Sequence, residues 1–200
     1  MKTRYITIER EYGSGATRIG RSLSEATGIP CYGQEILENV SKRTNRTVEE
    51  ITQYEESVPS SLLYTLFMMG QANSGNSEML SKEGYMFVAE QEEIQKLAKK
   101  GKAIFVGRCA SEALKDEAGV VKVFIRCTNE SEKTNRIVED YGIDKALVDR
   151  TRKQIDKRRA NYYYANTAKK WNDYSNYDIV LDSGVIGIEG CVKILKTLFQ

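Results

Sequence analysis

The chain has 200 residues, 40% of them apolar, and a net charge near +2. It suits one globular domain over residues 1–200 and offers no overall field for nucleic acid or a membrane surface. It holds no histidine, and its 4 cysteines (Cys31, Cys109, Cys127, Cys191) lie far apart, which argues against a zinc site and excludes imidazole chemistry. No apolar run approaches the roughly 20 residues of a membrane span, and the N-terminus lacks an apolar signal core, so a reducing, cytoplasmic setting is the expectation.

The first predicted element is a strand, Tyr5-Ile6-Thr7-Ile8, which runs through Glu9-Arg10-Glu11-Tyr12 into Gly13-Ser14-Gly15-Ala16-Thr17. An amphipathic helix follows from Arg18 to Thr27, with Gly28 placed as its cap. This is the layout of a phosphate-binding loop: glycines let the backbone turn its N–H groups inward, and the helix presents its positive end to an anion. In the G-x-x-x-x-G-K-[ST] register, Gly15 and Thr17 fit, but Arg10 stands at the first glycine and Ala16 at the lysine. The loop keeps its geometry and lacks its usual charge.

Residues 34–44 and 47–57 predict two short helices, the second opened by a Thr47/Glu50 capping box. The apolar cluster and polar glycine-containing stretch of 59–80 read as a helix and loop, with a flap or partner surface as the alternative, and 82–100 as a long helix. Short apolar runs at Lys102–Val106 and Val120–Ile125 have the character of buried parallel strands, as does Asp178–Leu181. Helices are expected at 109–116, 129–141, about 144–165, and from about Gly187. Strands alternating with helices predict a parallel sheet of about five strands flanked by helices. Ligands then bind at the carboxyl ends of the strands, where the Gly13–Thr17 loop, Arg108 and Arg126 fall.

Arg152, Asp156 and Arg159 stand at i, i+4 and i+7, so they share one helix face. Two guanidinium groups with a carboxylate between them can clamp phosphate oxygens; the plain alternative is a solvated ladder of ion pairs. The neighbouring Tyr162-Tyr163-Tyr164 point in three directions and cannot form one stacking platform, which argues against nucleic acid as a partner. Tyr163 shares the Arg152 face.

The ordered set I-x-I-E-R-E-Y-G-S-G, F-V-G-R and R-x-x-x-D-x-x-R, followed by the tyrosines and Trp171, resembles the cytidylate kinase-like family over nearly the whole chain. The resemblance implies an α/β fold of the P-loop nucleoside monophosphate kinase type. Residues 34–100 would be a helical acceptor-side insert and 126–172 the lid and clamp helices. It implies ATP as phosphoryl donor, Mg²⁺ as cofactor, and a nucleoside monophosphate or similar small phosphorylated acceptor, with a homodimer left open. It assigns Arg108 to the acceptor phosphate, Arg152, Asp156 and Arg159 to phosphate and sugar, and Arg126 and Arg136 to the lid. Cys109 stands where the true kinases carry an aspartate, so the resemblance does not carry base or ribose selection.

The missing lysine matters because phosphoryl transfer rests on positioning and charge neutralisation. Arg18, two residues on at the first helical turn, is the expected replacement; Arg10 is a second candidate, with crowding of the donor as its alternative role. Thr17 stands at the magnesium-binding hydroxyl, or is only a hydroxyl at a helix start. Glu9 and Glu11 flank the loop, either helping to hold magnesium water or pairing with the nearby arginines. The competing reading is a non-catalytic nucleotide-binding or regulatory protein with a degenerate loop.

Overall fold

The computed structural model describes residues 2–57 and 82–200. The expectation for 59–80 lies outside these residues. Strand β1 (Tyr5–Arg10) leads into helix α1 (Ala16–Thr27), then β2 (Cys31–Tyr32), α2 (Gln34–Thr44) and α3 (Val48–Ser57). Helix α4 (Lys82–Ala98), β3 (Ala103–Val106), the single turn α5 (Ala110–Ala113) and β4 (Val120–Arg126) follow. The chain closes with α6 (Glu130–Tyr141), α7 (Val148–Thr167), β5 (Ile179–Asp182) and α8 (Ser183–Thr197), the last broken at Gly187.

The five strands are all parallel, in the order β2-β3-β1-β4-β5. The chain leaves β1 toward β3 on one side and returns to β4 on the other, so β1 borders the crevice where such sheets take ligands. Strand alternation divides the core. Ile6 and Ile8 face α1 and α8, where Ile19, Leu23, Cys191 and Leu195 are buried. Tyr5 and Phe105 face α4 through Ile94 and Leu97. Phe124 packs against Trp171, Tyr177 and Tyr163 on the α7 side. Each fully buried aliphatic side chain contributes roughly 1.5–3 kcal/mol, and these ranks fix the strand register.

That register builds the site. The pairing of β1 with β4 continues to Arg10↔Ile125, whereas its pairing with β3 stops at Ile8↔Val106. Glu9 and Arg10 therefore project past β3 and leave a notch above Gly107, whose N–H closes onto the Ile8 carbonyl at 2.9 Å.

Three local expectations change. The short edge strand β2 carries no sequence signal because two residues cannot show a period. The helix expected at 109–116 shrinks to Ala110–Ala113, since the chain enters it through left-handed backbone at Arg108 and Cys109. The last helix begins at Ser183, capped by the Asp182 carboxylate, and Gly187 interrupts it rather than starting it. The capping box at Thr47 and Glu50 forms both of its hydrogen bonds, at 2.8 and 3.1 Å.

Candidate functional site

The Gly13–Thr17 loop turns through two left-handed glycines, Gly13 (φ 77°) and Gly15 (φ 76°). Gly15 caps α1 without any side-chain hydrogen bond. The N–H groups of Ala16, Thr17 and Arg18 open the helix and have no acceptor within it. The Ser14 hydroxyl is buried with no hydrogen-bond partner among the described residues. An uncapped helix start beside an unsatisfied hydroxyl suits a phosphate.

The back of the loop is gripped by α6. Arg136, buried, donates to the Ser14 carbonyl at 3.3 Å, to the Ser183 hydroxyl at 2.9 Å and to the Ser183 carbonyl at 3.3 Å. Lys133 lays its stem against Gly13 and ends on Glu11 at 2.9 Å, and Glu11 also accepts the Cys127 N–H at 3.1 Å. From the other side α7 holds the loop entrance: Asp156 accepts the Tyr12 N–H at 2.8 Å, and Arg159 donates to the Arg10 carbonyl at 3.0 Å. Burial raises the Asp156 carboxyl pKa, and the Tyr12 N–H opposes that shift.

Two adjoining cavities, about 620 and 250 Å³, open at this end of the sheet and share Arg10, Thr52 and Arg108 in their walls. The larger reaches from Thr17, Arg18 and Arg21 on α1 to Gly33–Glu35 and to Val48 on α3. The smaller lies between β1 and α7, where Arg10, Arg108, Arg158 and Arg159 line its walls together with Glu9. Burial lowers the Arg108 and Arg159 guanidinium pKa values to about 10, and the nearby charge of Arg10 acts in the same direction. A dianion would relieve this mutual repulsion.

The backbone at the mouth is strained. Gly107, Arg108 and Cys109 have consecutive positive φ values of 79°, 61° and 50°. For the two residues with side chains this costs about 1–3 kcal/mol each, and such strain clusters at functional sites. Gln91 steadies the turn by donating to the Arg108 carbonyl at 3.0 Å. Behind it, Tyr162 donates to an oxygen of the buried Glu90 carboxyl at 2.5 Å, and burial pushes that carboxyl pKa well up.

The residues expected to carry chemistry divide into two groups. Thr17, Arg18, Arg108 and Arg159 line the cavities, as do Glu9 and Arg10. Arg18 also pairs with Asp140 at the end of α6. Glu9 accepts from the Trp171 indole at 3.3 Å and lies 3.7 Å from Arg10. Ala16 is buried in the core. Arg126 turns to Asp182 at 3.1 Å and over the Tyr174 ring, and Arg152 to Glu130 and Asp149, so neither lines the two cavities. Arg21, Thr52 and Arg158 join the walls without being motif positions, and Tyr162, from the tyrosine run, joins them too. For Arg21 a signal existed: it stands one helical turn beyond Thr17, on the same face.

A metal would have little protein to bind by itself. Among the described residues no group of three or more carboxylate, cysteine or histidine side chains could hold an ion. Magnesium bound mainly through substrate phosphates and water needs only one or two protein oxygens, and the exposed Thr17 hydroxyl fits that part.

A five-stranded parallel sheet carrying a glycine loop between its central strand and a helix, with a basic crevice alongside, defines an α/β fold of the P-loop kinase type. A family model, "Cytidylate kinase-like family", matches residues 5–185, and the chain belongs to that family. It is 26% identical to a cytidylate kinase of Methanothrix thermoacetophila, over 94% of each chain. It is 25% identical to a cytidylate kinase of Archaeoglobus fulgidus, over 95% of this chain and 91% of that one. Among solved structures, an uncharacterized protein from Eubacterium ventriosum superposes with a TM-score of 0.71 at 24% identity, over 98% of this chain and 97% of that one. A shikimate kinase from Bacteroides thetaiotaomicron superposes at 0.53 with 15% identity, over 97% of each. These two likenesses concern the fold. No helix among the described residues is long and apolar enough to cross a membrane.

Proposed function

We propose that the protein transfers the γ-phosphoryl group of ATP to a nucleoside monophosphate or a similar small phosphorylated acceptor, with cytidylate the first to try because the relatives are named for it. The observation that carries this reading is the convergence of Arg10, Arg108, Arg158 and Arg159 on the smaller cavity, which adjoins the larger one that reaches the uncapped start of α1.

In this reading the loop N–H groups and the Ser14 hydroxyl take the donor phosphates. A shallow cavity of about 530 Å³ flanks the loop between α6 and the Gly187 break, and Ile186 and Ile188 give it an apolar wall for the donor base. The acceptor phosphate enters the arginine-lined cavity, held by Arg108, Arg158 and Arg159. Thr17 would hold Mg²⁺ together with donor phosphates, and the ion would neutralise charge on them. Glu9, engaged by Trp171 and Arg10, would orient rather than ligate. Asp156 keeps the loop entrance in place through the Tyr12 N–H, and Arg159 acts on both the loop and the acceptor phosphate.

A second reading, nucleotide binding without transfer, is favoured by Ala16, which is buried where the loop lysine would stand. An ADP-release assay with ATP, Mg²⁺ and a panel of CMP, dCMP, UMP, AMP and GMP separates the two. Acceptor-dependent ADP release supports the kinase. ATP binding without release above the ATP-only rate, for every acceptor, supports the binder.

A further inference from the structure

We propose that Arg10 supplies the cation missing at Ala16: seated over Gly107, where the two cavities meet, its guanidinium contacts the phosphoryl group in transit between donor and acceptor. This deepens the kinase reading and rests on it.

The position follows from the strand register. Arg10 is the last residue of β1, beyond the end of its pairing with β3. Its guanidinium therefore drops into the notch above Gly107. A Cβ added at Gly107 would stand 1.9 Å from Arg10 Nη1 and 2.7 Å from Cζ. Any side chain there would push the guanidinium out of this seat. Gly107 also has a left-handed φ of 79°, so the seat is closed to side chains on two independent grounds.

Three other cations near the loop are engaged elsewhere. Arg18 pairs with Asp140 and Lys133 with Glu11. Arg136 grips Ser14 and Ser183. Arg10 has a long ion pair, 3.7 Å, to Glu9, whose carboxylate also accepts the Trp171 indole. Arg10 lies in the walls of both cavities, and its backbone carbonyl is fixed by Arg159 at 3.0 Å. A group with a single long ion pair among the described residues, a fixed backbone and access to both cavities is suited to a charge that develops between them.

The step balances without proton transfer. An acceptor phosphate oxygen forms a bond to the γ-phosphorus as the bond from that phosphorus to the β,γ-bridging oxygen breaks. ADP departs with the electron pair, and the total substrate charge is the same before and after. Arg10 remains a guanidinium throughout, gaining and losing nothing; it stabilises charge on the transferring oxygens.

The test is a set of four variants in the acceptor-dependent ADP-release assay, each checked for a cooperative melting transition above the assay temperature; Gly107→Ala is expected to melt lower because alanine strains its left-handed backbone. Arg10→Met should lower kcat by roughly 10²-fold, the typical effect of removing one stabilising donor, with KM values moving less than about fivefold. Arg10→Lys should recover part of that loss. Gly107→Ala should reproduce it by displacing the guanidinium from its seat. The double variant should be no worse than the poorer single one, because both changes remove the same contact. Arg10→Met leaves the Arg159 contact intact, since that contact goes to the Arg10 carbonyl. Wild-type turnover with Arg10→Met within threefold of it overturns the assignment and leaves the kinase reading standing, as does a pair of losses that multiply. A wild type inactive on every acceptor overturns the kinase reading and the assignment with it.

Discussion

Gly13 and Gly28 share a left-handed backbone, φ 77° and 70°, but differ in what an added methyl group would meet. Around Gly28 nothing lies within 4 Å. At Gly13 a Cβ would approach Ile137 Cγ1 at 2.8 Å, Ile137 Cδ1 at 2.9 Å and Lys133 Cγ at 2.9 Å. Ile137 is fully buried, and Lys133 is tethered to Glu11 at 2.9 Å, so neither can swing aside. Gly28→Ala should therefore cost only the backbone term, about 1–2 kcal/mol. Gly13→Ala adds an overpacking term of about 1–3 kcal/mol, for a total of about 2–5 kcal/mol. Urea denaturation of the two variants and the wild type, with a shared m-value, measures the difference. If the two losses agree within about 0.5 kcal/mol, the margin within which independent effects are resolved, α6 does not rest on the loop and the packing argument for this site fails.

Arg136→Met keeps the stem and removes the charged donors to Ser14 and Ser183, which should cost about 1.5–3 kcal/mol by chemical denaturation. A loss below about 0.5 kcal/mol, the size of an ordinary surface substitution, would show that α6 does not brace the loop through this residue. The Glu90 carboxyl, raised by burial from 4.5 to about 8, keeps its proton in the fold after the unfolded chain has lost it. The folded pKa lies above the unfolded one, so stability falls as pH rises through that window. Glu90→Gln should melt increasingly above the wild type between pH 5 and pH 8, by at least ~2–4 °C, the shift that about 1 kcal/mol gives in a chain of this size. A difference independent of pH would mean that Glu90 is ionised in the fold.

Much of the architecture was legible along the chain because it rests on local signals. Apolar runs marked β3 and β4, and the strand–glycine–helix junction marked the loop, since only glycine takes its left-handed turns without strain. The Thr47/Glu50 box closed as its spacing required. The family was legible as well, carried by motifs in a fixed order.

The use of each charge was decided by the fold. Spacing placed Arg152, Asp156 and Arg159 on one face of α7, and they do share it. Yet successive turns of that face meet different neighbours, so Arg152 goes to Glu130, Asp156 to the Tyr12 N–H and Arg159 to the Arg10 carbonyl. The sequence favoured Arg18 over Arg10; Asp140, 122 positions away from Arg18, and Gly107, at the end of the strand beside Arg10, reverse that preference. A guanidinium on a long, flexible stem can reach several partners, and local sequence determines only where the stem begins. The end of the β1–β3 pairing at Ile8 and Val106 is a property of two strands nearly a hundred residues apart, and it creates the notch that Arg10 fills.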